Sequence, residues 1–172
     1  MIDLSQLRLE PGAERSVEVP VAVPQLELGG VQYAGPLSPP IARLDITRTL
    51  SGLLFRLRLQ TIISGPCHRC LESASVPVAI DAREYQADHP EPGAEAEEVC
   101  DYLQGEELDA GSWAADAIVL SMPHKILCRE DCQGLCPSCG TDLNTGTCQC
   151  PPPEPDSRWG ALQQLVDDAP EG

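Results

Sequence analysis

The sequence predicts an α+β fold: an antiparallel β-sheet, or a partly open barrel-like layer, with one main helix and a C-terminal cysteine-rich segment. Three observations carry this. Apolar residues alternate at the strand period across residues 17–23, 42–63 and 75–85, with turn-forming residues between the runs. The clearest helix signal covers residues 112–122, where Ser112 is a candidate N-cap and Pro123 a stop. Six of the nine cysteines fall within the 23 residues 128–150. The expected organisation is a β-rich domain over residues 1–127, a cysteine-rich segment over 128–150, and a Pro-rich linker with a short amphipathic helix over 151–172.

Taken in order, residues 1–40 hold a short start and then Val17, Val19, Val21 and Val23 at period two. Pro20 and Pro24 demote that run to an edge strand, and Gly29, Gly30, Gly35, Pro36, Pro39 and Pro40 read as a loop. The next two runs meet at Ser51-Gly52 and read as a β-hairpin. Phe55, Leu57, Leu59, Thr61 and Ile63 fall on one face, Arg56, Arg58 and Gln60 on the other. Whether Arg43 joins those arginines depends on strand register.

Cys67-His68-Arg69-Cys70 then sits at the tip between two strands. A thiol–disulfide motif opens a helix after a strand, and no helical pattern follows here, so a ligand pair accounts for it better. Residues 84–109 hold ten acidic side chains, with no Lys or Arg between Arg83 and Lys125. They read as a solvated, partly mobile loop in which Cys100 is unligated; the alternative is a landing strip for a basic protein. In the helix, Trp113, Ala117 and Leu120 form the inward face. Beyond residue 150, Pro151-Pro152-Pro153 is a stiff spacer. Trp159, Leu162, Leu165 and Val166 lie on one helical stripe that docks back on the chain or meets a partner.

Cys136-Pro137-Ser138-Cys139-Gly140 has the form of a zinc knuckle, and Cys148 and Cys150 follow an eight-residue spacer. These four form one candidate zinc site; a disulfide staple or an iron–sulfur cluster would use the same residues. Cys67, Cys70, Cys128 and Cys132 form a candidate second site bridging the 57 residues between Cys70 and Cys128. The rival division lends Cys132 to the downstream site and leaves Cys67 and Cys70 as a spare pair; separately, His68, inside the first knuckle, and His124, before Cys128, are substitute ligand candidates. One or two Zn²⁺ ions are thus expected, in all-thiolate shells with no open position for catalysis. With no phosphate loop, nucleophile elbow or carboxylate pair to single out, an enzyme is the weaker class.

The composition bounds the partners. A formal net charge of −16 on 172 residues opposes contact with bare nucleic acid and favours basic partners, or simply maintains solubility. No apolar run approaches a membrane span and the start lacks signal-peptide character, so a cytoplasmic location is expected, where clustered thiols read as metal ligands.

The order Cys67-His68-Arg69-Cys70-Leu71-Glu72, acidic loop, helix through Ala117-Ile118-Val119-Leu120, then residues 127–144 with Cys148-Gln149-Cys150 resembles the YceD-type family, the large ribosomal RNA subunit accumulation proteins of bacteria and plastids. The resemblance covers roughly residues 40–150. It implies a non-enzymatic part in 23S rRNA accumulation and large-subunit assembly. Combined with the charge, it suggests a factor that binds a basic ribosomal or assembly protein and meets the 23S precursor indirectly, with no small-molecule substrate. The alternative is direct RNA binding through Arg43, Arg56, Arg58 and Arg69; a third class, a thiol oxidoreductase using Cys67 and Cys70, is the weakest.

Overall fold

The computed structural model describes residues 1–7, 9–90 and 98–151. The chain divides into two compact units, Met1–Cys132 and Gln133–Gly172. The proposed C-terminal helix and its apolar stripe lie outside the described residues.

In the first unit the alternating runs become a four-stranded antiparallel sheet of order β2-β5-β6-β7, formed by β2 (Glu14–Pro20), β5 (Ile41–Arg48), β6 (Gly52–Pro66) and β7 (Ser73–Ala87). Among the described residues β2 and β7 do not pair with each other, so this sheet is open rather than a closed barrel. The edge position expected for the Pro-bounded first run is the one β2 holds. Ala42, Leu44 and Ile46 of β5, Phe55, Leu57, Leu59 and Ile63 of β6, and Val78 and Ile80 of β7 are all buried. Strand periodicity sends these odd or even positions to one face, and that face is the core.

The helix α1 (Ala110–Ser121) packs on β6 and β7. It buries Ala110, Trp113, Ala114, Ala117 and Ile118. Two details differ from the sequence expectation. The N-cap is Asp109, whose carboxylate accepts from the N–H groups of Gly111 and Ser112 at 3.1 and 3.0 Å; Ser112 lies within the helix and donates its hydroxyl to the same carboxylate. Leu120 is 86% exposed. At about 100° per residue the buried arc is centred between Ala114 and Ala117, which leaves Leu120 on its rim in the last turn.

Short strands escaped the periodicity argument. β3 (Leu26–Leu28) and β4 (Val31–Tyr33) form a hairpin around Gly29 and Gly30, both at positive φ, where the sequence suggested only a loop. β1 (Ile2–Asp3), β9 (Glu107–Leu108) and β8 (Leu103–Gln104) form a three-stranded sheet in that order. The acidic stretch is therefore folded over much of its described length, contrary to the loop reading. Residues 84–87 belong to β7, the Ala87 N–H reaches the Glu98 carbonyl at 2.8 Å, and Cys100 and Leu108 are buried. Residues 91–97 of the stretch lie outside the described residues.

Gly65 marks the place where β4 crosses close to β6. A Cβ there would stand 2.3 Å from the Tyr33 ring, so only glycine admits the tyrosine. The Tyr33 hydroxyl in turn donates to the Pro66 carbonyl at 3.3 Å, one residue before the first ligand candidate.

Candidate metal centres

The first cysteine pair occupies the connection between β6 and β7, the longest hairpin of the sheet. The Cys67 N–H donates to the Glu72 carbonyl at 2.7 Å and the Leu71 N–H returns to the Cys67 carbonyl at 3.0 Å. That pattern folds four residues into a tight knuckle and turns both thiols the same way. Residue five of the knuckle must take positive φ, and Leu71 does so at 64°, an unfavourable conformation for a side chain with a Cβ. The second pair comes from the segment after α1. The His68 N–H donates to the Ile126 carbonyl at 2.8 Å, and the Arg69 guanidinium donates to the Cys132 carbonyl at 2.7 Å. These two bonds hold the Cys128–Cys132 turn against the knuckle.

The four sulfurs of Cys67, Cys70, Cys128 and Cys132 all lie within 4.8 Å of one another. Cys67 Sγ and Cys132 Sγ are 3.8 Å apart, and Cys70 Sγ and Cys128 Sγ 3.6 Å. A tetrahedron of sulfurs about 2.3 Å from a central ion has edges of about 3.8 Å, so the donor set fits one tetrahedral ion. Cys67, Cys70 and Cys132 are buried and Cys128 is exposed.

In the second unit Cys136, Cys139, Cys148 and Cys150 satisfy the same distance limit. The knuckle geometry repeats residue for residue: the Cys136 N–H donates to the Thr141 carbonyl at 2.8 Å, and the Gly140 N–H returns to the Cys136 carbonyl at 2.9 Å. Here the positive-φ position is a glycine, Gly140 at 73°. The spacer is tied by Asp142, whose carboxylate accepts from the Asn144 N–H at 2.9 Å, while the Asn144 side chain accepts from the Gln133 N–H at 2.8 Å. Cys136 is buried, Cys148 and Cys150 are half-buried, and Cys139 is exposed.

The electrostatics of both groups call for a cation. Burial works against ionisation of Cys67, but the N–H groups of Cys70, Arg69 and Cys128 outweigh it and bring the thiol down to about 6. Cys136 falls to about 6 through the N–H groups of Cys139 and Ser138. At least one partner in each group moves the other way. Cys70 reaches about 12: although the Glu72 N–H favours its thiolate, burial and the sulfurs of Cys128, Cys132 and Cys67 oppose ionisation. Cys150 is pushed up to about 12, first by Cys139 and then by burial. Cys139 is also lowered, by the hydroxyl and N–H of Thr141. In each group at least one thiolate thus forms readily and at least one thiol resists ionisation until positive charge arrives.

The other candidates separate clearly. His68 and His124 belong to neither group among the described residues, nor does Cys100, whose N–H donates to the Gln86 side chain at 3.1 Å. Cys132 lies with Cys67, not with the downstream cysteines. After Cys70 comes β7, a strand, which is not the setting of a thiol–disulfide motif.

The register places Arg43 opposite Arg58 and Asp45 opposite Arg56, so all four share the outer face of the sheet. Sequence reasoning had seen these arginines without their partners. Asp45 accepts from Ser16 at 2.6 Å and from Arg43 at 3.0 Å, and also pairs with Arg58. Asp81 takes Arg56 in a two-pronged bond whose Nε arm is 2.7 Å, and Asp88 takes Arg48 through two bonds of 2.7 Å. With Ser16 the largest influence, Asp45 is held down to about 2 despite its burial. No helix of the described residues is long and apolar enough to cross a membrane.

A family model described as large ribosomal RNA subunit accumulation protein YceD matches residues 55–166, from the middle of the sheet through both cysteine groups. Uncharacterized proteins of Mycobacterium tuberculosis and Mycobacterium bovis are each 27% identical to the chain over 178 residues, spanning 96% of it and 80% of the relative. The large ribosomal RNA subunit accumulation protein YCED homolog 1, chloroplastic, of Zea mays is 26% identical over 181 residues, spanning 88% of this chain and 61% of the maize protein. No solved structure matches the chain. The family match spans more than half of the sequence and contains every cysteine of both groups: the chain belongs to the YceD family of large ribosomal RNA subunit accumulation proteins.

Proposed function

We propose that this protein is a non-catalytic factor of large-subunit assembly that supports 23S rRNA accumulation by holding a basic ribosomal or assembly protein in the cytoplasm. One observation carries the choice of partner. The arginines offered for RNA contact are already engaged: Arg43 and Arg58 by Asp45, Arg56 by Asp81, and Arg69 by the Cys132 carbonyl. On a chain of net charge −16 such paired cations attract phosphate weakly, whereas a polycation meets unopposed carboxylates.

Each cysteine group is assigned one Zn²⁺, with Cys67, Cys70, Cys128 and Cys132 as one ligand set and Cys136, Cys139, Cys148 and Cys150 as the other. Sulfurs that all lie within 4.8 Å of one another in each group, with separations of 3.6 and 3.8 Å upstream, suit a single tetrahedral ion better than a multi-iron cluster, which spreads its ligands around several metals. Four thiolates fill the shell and leave no place for water or substrate, so both ions are structural.

The test is a binding titration of the full chain, loaded with zinc, against 23S rRNA fragments and against basic large-subunit proteins at several ionic strengths. The expected result is salt-sensitive binding to a basic protein and no comparable affinity for RNA. Tight RNA binding that weakens when Arg56 and Arg58 are changed to Ala overturns the partner assignment in favour of direct RNA recognition.

A further inference from the structure

The two cysteine groups share a knuckle but differ in what surrounds them. In the upstream group three of four cysteines are buried, with Cys67 and Cys132 at 0% and 1% exposure. The exposed one, Cys128, has as its near neighbour the buried Cys70. That group also joins the tip of a hairpin of two 15-residue strands to the segment after α1, and the sheet core persists around it. In the downstream group only Cys136 is buried. The segment bearing Cys148 and Cys150 carries no strand or helix, and one isolated bridge, Leu135 to Asp142, is the only β-pairing among the described residues of that unit. Apart from the ligands, residues 133–151 are held by turn hydrogen bonds around Asp142 and Asn144, without a strand or helix among the described residues.

From this contrast we infer that the downstream quartet is a peroxide-sensitive modification site, which gives up its ion and closes a disulfide while the upstream quartet stays loaded. The inference rests on both quartets holding zinc. The electron pair of one accessible thiolate, Cys139 being the most exposed, attacks a peroxide oxygen and breaks the O–O bond, giving a sulfenic acid and hydroxide. A second thiolate of the quartet attacks that sulfur and expels its hydroxyl as hydroxide, forming the S–S bond. Two protons turn the two hydroxides into water. Two sulfurs lose one electron each, one peroxide is reduced to two waters, and the ion departs because half of its ligands are gone. The chain has the right slack for this. Cys139 and Cys148 or Cys150 are separated by a short loop without regular structure, so a bond between them needs no element of the sheet to move.

The experiment uses the full chain with its zinc content measured first. Hydrogen peroxide is titrated while a metallochromic chelator reports released zinc, and disulfides are mapped by mass spectrometry after alkylation. The expected result is two resolved phases, with one ion released before the other and the first disulfide confined to Cys136, Cys139, Cys148 and Cys150. Thiol reductant plus zinc should restore the starting state. A Cys136→Ser/Cys139→Ser double variant should begin with one ion and lose only the fast phase; if that variant is unstable, the disulfide map of the native chain decides alone. Simultaneous release of both ions, or a first disulfide involving Cys67, Cys70, Cys128 or Cys132, overturns the inference while leaving the zinc assignment intact. Fewer than two ions at the outset overturns the zinc assignment and the inference with it.

Discussion

Leu71 and Gly140 occupy the same position in two copies of one turn, and they differ in cost. A leucine at φ 64° is strained by roughly 1–2 kcal/mol relative to a relaxed backbone, and its side chain is 63% exposed, so burial offsets little of that. Replacing Leu71 by Gly should stabilise the first unit by about 1 kcal/mol, the relief of strain exceeding the added freedom of the unfolded chain. An unchanged or lowered midpoint in denaturant would show that the leucine makes a contact which outweighs its strain. Asp45 gives a pH prediction. The folded state holds its carboxylate at about 2, below the value of an unfolded aspartate. Its stabilisation is therefore complete above about pH 4–5 and is lost as the pH falls towards 2. The size is at most about 2–3 kcal/mol, and less after solvent screening, because the arginine partners are 57% and 38% exposed. Urea unfolding of Asp45→Asn between pH 2 and 6 should show a flatter pH dependence than the native chain.

At the level of elements, α1 depends on a cap that sequence alone placed three residues too late. Asp109 accepts two helix N–H groups and one hydroxyl, so Asp109→Ala should cost about 1 kcal/mol, whereas Ser112→Ala should cost clearly less; equal losses in thermal melts would contradict the cap assignment. What was legible follows from the length of each pattern. β5, β6 and β7 run for 8, 15 and 15 residues, long enough for period two to name the core face from Phe55 to Ile63 and to set Cys67 and Cys70 at a hairpin tip. β1, β8 and β9 have two residues each and carry no period at all; tertiary pairing makes them strands. The ion pairs were hidden for another reason. That Asp45 stands opposite Arg56, with Arg43 opposite Arg58, depends on strand register, which periodicity leaves open by steps of two.

For the whole molecule, the cysteine groups stand in different relations to the core. The first unit has a buried layer of Leu44, Ile46, Phe55, Leu57, Ile63 and Ile118 in addition to its thiols, while the described part of the second has almost no secondary structure. Exhaustive chelation should accordingly lower the melting temperature of the first unit and abolish dispersed NMR signals from residues 133–151 altogether, since metal binding there is folding. Identical melts before and after chelation, with no metal in the purified chain, would remove the structural role assigned to zinc. One pairing also fixes a sequence of events. Ile2 and Asp3 find their partners at Leu108 and Glu107, so during translation β1 waits roughly 5–20 s for its mate at ordinary elongation speeds. The nascent chain can assemble the long hairpin meanwhile, and β1 is fastened only after it.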